Sequence, residues 1–215
     1  MKFQKHSKIL FIGDSVTDCG WREQVYQPLG NGYVHFAANL LYAANPELEL
    51  DIINRGIGGN TIRDLRKRLE SDCLQLTPDL VSILIGVNDV WRRHSEPERL
   101  SEAVDLDEYE ATYRSVLKDI ISSRLCRVVL VEPFMFCTES NNAMLSDLRT
   151  YMQIVRNIAK EFDCVLVPLQ YHLDIAMKNV PPKVWSADMV HPHAWAHAWI
   201  AQKWIEVVHS IQRQS

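Results

Sequence analysis

Ser15, Asp188 and His191 are residue types that perform acyl transfer, and they lie in polar segments far apart in the chain. That chemistry needs a nucleophile, a base to take its proton, a group to orient the base, and donors for the developing oxyanion. Ser15, in Gly13-Asp14-Ser15, offers the hydroxyl. His191 can accept its proton and return it to a leaving group. Asp188, three residues before His191, can hold the imidazole Nδ1–H across one turn and so fix the tautomer. The backbone N–H groups of Ser15 and Gly59, with the side-chain amide of Asn88, are candidate oxyanion donors. Glycine at 59 lets the backbone approach a substrate without a Cβ in the way.

Taken singly, each residue has a plainer reading. Ser15 follows an apolar run, where a hydroxyl serves as a helix cap, a phosphate ligand or a nucleophile. Asp14 reads as structural, and Asn88-Asp89 reads as a turn pair. His191, His193 and His197, with Asp188, have the composition of a metal cluster, but Ala194 stands where the acid of a His-Glu-x-x-His motif belongs, so no metal is expected. Gly56-x-Gly58-Gly59 has the wrong spacing for a dinucleotide fingerprint and follows the second strand instead of the first, so no nucleotide cofactor is expected. Trp21, Trp91 and Trp185 fall near the polar segments. Their flat faces suit the apolar edges of sugar rings, and packing or a subunit contact would use them equally well. Trp195, Trp199 and Trp204 read as packing residues of the last helix.

The elements that must position these residues are marked by hydrophobic pattern. Apolar runs at 9–12, 50–53, 80–85, 128–131 and 165–167 read as five buried strands. Between them, Ile62, Leu65 and Leu69 recur at helical spacing. So do Leu106, Tyr109, Tyr113, Val116 and Ile120, and later Ile200, Trp204, Val208 and Ile211. The polar stretch from Arg92 to Glu102 reads as a surface loop. Strands alternating with helices predict an α/β fold, a mostly parallel sheet covered on both faces. In such a sheet ligands bind beyond the carboxyl ends of the strands. The segments starting at Gly13, Asn54 and Gly86, and the later Asp188–Pro192 segment, are therefore expected to converge.

Composition narrows the class. The chain has 215 residues, 47% hydrophobic and 23% charged, with a net charge of −4, which fits one ordinary globular domain over residues 1–215 and argues against nucleic-acid binding. No run reaches transmembrane length and the N-terminus lacks a signal-peptide pattern, so no membrane association is expected. The five scattered cysteines form no Cys-x-x-Cys pair, and Cys126 and Cys164 read as core thiols; a reducing cytoplasm is the expected compartment.

Gly13-Asp14-Ser15, Gly59, Gly86-Val87-Asn88-Asp89 and Asp188-x-x-His191-Pro192, in this order, resemble the four sequence blocks of the SGNH hydrolases, the GDSL esterase/lipase family. The resemblance runs from Lys8 to about Trp199. It implies a flavodoxin-like, three-layer α/β/α sandwich on a five-stranded parallel sheet. It also implies Ser15 as nucleophile, His191 as base, Asp188 as its orienter, and Ser15, Gly59 and Asn88 as the oxyanion hole. Alignment of the blocks favours Gly59 over Gly58 as donor. The longer strings from Phe11 to Gly20, Gly58 to Leu65 and Asn88 to Arg92 are similar to bacterial intracellular acetyl-xylan esterases of this family. They imply a serine esterase acting on acetylated sugars, xylo-oligosaccharides first, with a homo-oligomer as one possible assembly. Within the family, an arylesterase, thioesterase or lysophospholipase would use the same residues. Outside it, a flavodoxin-like phosphate- or nucleotide-binding module would also place Ser15 at the first strand end, but would not need Asn88, Asp188 or His191.

Overall fold

The computed structural model describes residues 3–123 and 126–212, with side chains through His209, so Ile211 of the last helical stripe lies outside the described side chains. Five strands form one parallel sheet: β1 (Lys8–Gly13), β2 (Asp51–Gly56), β3 (Leu80–Leu84), β4 (Arg127–Val131) and β5 (Val165–Val167), in the order β2-β1-β3-β4-β5. This is the doubly wound order of flavodoxin-like folds. Helices α1 (Ser15–Asp18), α2 (Tyr33–Ala44), α3 (Ile62–Asp72), α4 (Val87–Ser95), α5 (Leu106–Ser123), α6 (Ala143–Glu161), α7 (Leu169–Ala176), α8 (Pro182–Trp185) and α9 (Ala194–Gln212) make the connections.

Alternation along the strands builds two cores. Leu10 and Ile12 of β1 face a cluster formed with α3, α5 and α6, whereas Ile9 and Phe11 face one formed with α2, α7 and α9. A strand buried on both faces has no polar side to show, which is why these strands read as unbroken apolar runs. Trp204 of α9 is fully buried on the second face and donates its indole N–H to Ser82 Oγ at 2.9 Å.

Two elements differ from expectation. Strand β2 continues past Ile53 to Gly56, because the side chain of Asn54 is satisfied inside the protein. Its amide donates to the carbonyls of Thr17 at 2.7 Å and Leu29 at 2.9 Å, and its oxygen accepts the Gly56 N–H at 2.8 Å. The stretch from Arg92 to Glu102 is not a surface loop. Its first part completes α4 and the rest is a 3₁₀ segment, Pro97–Glu102. The polar residues that suggested a loop are paired there: Arg92 with Glu96, Arg99 with Glu102, and His94 with Asp147. Among the cysteines, Cys73 and Cys137 are the buried ones, and Cys126 and Cys164 are only half-buried.

The register levels the site edge of the sheet. Gly13 pairs with Gly56 on one side and with Leu84 on the other. The chain therefore leaves β1, β2 and β3 at one height, with Ser15, Gly58-Gly59 and Asn88 on the next few residues.

Candidate active site

Ser15 is the first residue of α1, and its hydroxyl does not cap that helix. Asp14 does so instead, accepting the Val16 N–H at 3.0 Å. Ser15 Oγ is left to meet His191 Nε2 at 2.9 Å. His191 Nδ1 lies 2.6 Å from Asp188 Oδ2. The other Asp188 oxygen accepts the N–H groups of His191 at 2.8 Å and Val190 at 3.0 Å and the Ser186 hydroxyl at 3.0 Å. Burial opposes the charge on Asp188, but the His191 backbone and ring and the Val190 N–H outweigh it and hold the carboxyl well below its ordinary range. Asp188 is thus an anion whose second oxygen is placed to hold the Nδ1–H of His191. Nε2 is then free to accept from Ser15.

The loop after β2 faces this pair. A Cβ added to Gly58 would lie 3.8 Å from Ser15 Cβ. The Gly58 N–H is already engaged by Asp18 Oδ2 at 2.9 Å. Among the described residues no acceptor meets the N–H of Gly59, so of the two adjacent glycines it is Gly59 that has a free donor. Gly59 has φ +78°, a left-handed backbone that favours glycine. Asn88, on the first turn of α4, donates one amide hydrogen to the Asn60 carbonyl at 3.0 Å, which leaves its second hydrogen for a ligand.

The tryptophans separate. Trp185, considered above for sugar contact, is only 2% exposed. It stacks on Phe136, meets Trp195 at 4.5 Å between ring centroids, and donates to the Val180 carbonyl at 3.1 Å. It has no free face for a ligand. Its backbone carbonyl accepts the His193 N–H at 2.8 Å, so the residue anchors the segment that carries Asp188 and His191. Trp195 is not simply packed, being 45% exposed. Trp91 is half-buried against the α3–α5 side of the core. Trp21 is half-exposed, held by its indole N–H to the Gly56 carbonyl at 2.7 Å, with the Arg55 guanidinium 5.0 Å from its ring centroid. It adjoins a shallow cleft lined by Ser15, Asp18, Cys19, Gly20, Arg22 and Glu23.

Among the described residues, no three His, Cys, Asp or Glu side chains are grouped closely enough to hold a metal ion. His193 is exposed, whereas His197 is buried, beyond the surface or partly buried helix position expected of both. Its Nδ1 accepts the Tyr33 N–H at 3.2 Å and its Nε2 faces Cys19 Sγ at 3.3 Å. Burial, with the nearby His191, lowers its pKa to about 4.

Asp14 and Asp89 are buried beneath the site, and burial raises each to about 7. Asp89 Oδ1 accepts the Ile62 N–H at 3.0 Å, and Oδ2 has no partner among the described residues. The folded chain therefore keeps protons that the unfolded chain releases near pH 4. The resulting stability is full below that pH and is lost as pH rises through about 7. Asp89→Asn keeps an oxygen for Ile62 and removes the ionisation. It should narrow the drop in stability between pH 5 and pH 8 by roughly 2 kcal/mol, measured by denaturant unfolding at both values. An unchanged difference would mean that Asp89 is ionised in the folded state.

A parallel sheet in the order 2-1-3-4-5, with a hydroxyl, imidazole and carboxylate in line above its carboxyl edge, defines a hydrolase of the α/β/α class. The chain belongs to the GDSL-like lipase/acylhydrolase family, whose model matches residues 11–199, and it is a carboxylic ester hydrolase. It is 37% identical to an acetylxylan esterase of Geobacillus stearothermophilus, over 97% of this chain and 96% of that one. A crystal structure of that esterase superposes with a TM-score of 0.91 over the same shares. An α/β hydrolase from the metagenome of Lake Arreo, Spain, 31% identical, superposes with a TM-score of 0.90 over 95% of this chain and 96% of that one. An uncharacterized protein of Bacillus subtilis is 23% identical over 94% of this chain and 81% of that one. Among the described residues, no helix is long and apolar enough to cross a membrane.

Two residues that hold the loop after β2, Asp18 and Arg92, carry no site role in the sequence reading. Each sits one helical turn from a residue that was singled out, Asp18 after Ser15 and Arg92 after Asn88. That spacing is the signal that would have found them.

Proposed function

We propose that the chain is a serine esterase that removes acetyl groups from sugar hydroxyls, with acetylated xylo-oligosaccharides as substrate class, acting as a single domain over residues 1–215 in the cytoplasm. The observation that carries the reading is the line from Ser15 Oγ to His191 Nε2 at 2.9 Å and from His191 Nδ1 to Asp188 at 2.6 Å, beside the unengaged Gly59 N–H. Ser15 Oγ attacks the acetyl carbonyl carbon while His191 takes its proton. The carbonyl oxygen becomes an oxyanion held by the N–H groups of Ser15 and Gly59 and the amide of Asn88. Collapse breaks the ester bond. The sugar oxygen leaves with the proton from His191, and the acetyl group stays on Ser15. Water then attacks, again giving its proton to His191, and acetate leaves. The five free thiols are compatible with a reducing compartment. The acetyl-sugar specificity is supported by the similarity to the Geobacillus acetylxylan esterase.

The test is acetate release from acetylated xylo-oligosaccharides, run beside a series of nitrophenyl esters of rising chain length. Release from the sugars, and faster turnover of the acetyl ester than of long-chain esters, are the expected outcome. A preference for long acyl chains would overturn the acetyl assignment and favour a lysophospholipase or thioesterase.

A further inference from the structure

The Gly59 N–H is useful only if its peptide plane is held in one orientation, and that peptide lies between two glycines, the residues least able to hold it. The structure meets this from both sides. On one side, Asp18 of α1 accepts the Gly58 N–H at 2.9 Å. On the other, Arg92 of α4 donates through Nη2 to the Gly59 carbonyl at 2.8 Å. One residue further on, Asn88 donates to the Asn60 carbonyl, and Arg68 of α3 donates to Asn60 Oδ1 at 2.7 Å. The peptide units flanking the Gly58–Gly59 plane are thus fixed by side chains from the two helices that also carry Ser15 and Asn88.

Arg92 is the costly member of this set. Its side chain is 3% exposed, its other terminal nitrogen is paired with Glu96, and its Nε makes no hydrogen bond among the described residues, facing Glu102 Oε2 only at ion-pair distance, 3.7 Å. Burying a guanidinium with one donor unmet is unfavourable. A Cβ on Gly59 would come within 3.2 Å of the same Nη2, so the fit leaves no slack. We propose that Arg92 is a positioning residue for the reaction, its buried guanidinium fixing the Gly59 carbonyl so that the Gly59 N–H stays aimed at the oxyanion. This rests on the Ser15 reading above. The fork of a guanidinium suits the task, because it spans Glu96 and the Gly59 carbonyl at once, which a single ammonium does not.

The experiment compares Arg92→Gln and Arg92→Lys with the unsubstituted chain, using 4-nitrophenyl acetate kinetics and titration of reactive serine with a fluorophosphonate. Arg92→Gln should lower kcat by roughly 10²–10³-fold per titrated site, with KM within about twofold, because an oxyanion donor acts on the transition state. Arg92→Lys, which keeps the buried cation, should recover part of the loss. It carries the test alone if Arg92→Gln does not fold, with kcat still expected about tenfold or more below the unsubstituted chain. A raised KM with kcat intact would overturn the proposal, as would a loss of rate matched by a loss of titratable serine. Failure of the unsubstituted chain to label at Ser15 would instead overturn the Ser15 reading, and this inference with it.

Discussion

Ser15→Ala should lower kcat/KM for 4-nitrophenyl acetate by roughly 10⁴–10⁶-fold while leaving the melting temperature within about 2 °C of the unsubstituted chain. The two halves of this expectation come from different observations. The Ser15 hydroxyl makes one side-chain hydrogen bond, to His191 Nε2 at 2.9 Å, with Ser15 half-buried and His191 exposed. The N-terminus of α1 is capped by Asp14, not by Ser15. Removing the oxygen therefore deletes the nucleophile and costs the fold almost nothing. Had Ser15 been the cap, the change to alanine would have cost about 1 kcal/mol, several degrees at most. The melting curve thus separates a nucleophile from a structural hydroxyl, and the rate separates this serine from any other. Activity within tenfold of the unsubstituted chain would mean that the acyl group is carried elsewhere.

How much of this was legible in the sequence depended on where each residue finds its partner. The strands were legible because burial on both faces leaves only apolar choices, as in Leu10-Phe11-Ile12. The segments at the strand ends were legible because a parallel sheet brings its carboxyl ends together. Residues whose partners are backbone groups were not. Arg92 meets the carbonyl of Gly59, 33 positions away, and Asp18 meets the N–H of Gly58, 40 positions away. A backbone group is the same at every position and leaves no mark in the sequence. Arg92 was further hidden by its setting, since Arg92, Arg93 and His94 read as solvent-facing charge until their acidic partners are in place. Trp185 failed in the opposite way. Its nearness in sequence to Asp188 and His191 suggested a place in the site, but its ring turns toward Phe136 and Trp199. Sequence proximity fixes where a backbone goes, and packing decides where a ring points.

Asp188→Asn should be the second most damaging change, lowering kcat by roughly 10³–10⁴-fold with a small effect on KM. The argument turns on which oxygen the amide replaces. Asp188 Oδ1 receives three donors, the N–H groups of Val190 and His191 and the Ser186 hydroxyl. An NH₂ placed there would confront the two backbone N–H groups, which cannot turn away, so the asparagine must keep its oxygen at that position. Its NH₂ then occupies the place of Oδ2, 2.6 Å from His191 Nδ1. Nδ1 is forced to accept, the ring proton moves to Nε2, and Nε2 now presents a hydrogen to Ser15 in place of a lone pair. The base is blocked although every heavy atom stays in position. Because the three Oδ1 bonds survive, the melting temperature should change far less than in Asp188→Ala, which leaves those donors without their acceptor. Rates and melting curves for both variants, with nitrogen NMR of the imidazole to read the tautomer, make the test. If Asp188→Asn kept its rate within tenfold while Nε2 carried the proton, orientation of His191 by Asp188 would not be what the reaction requires.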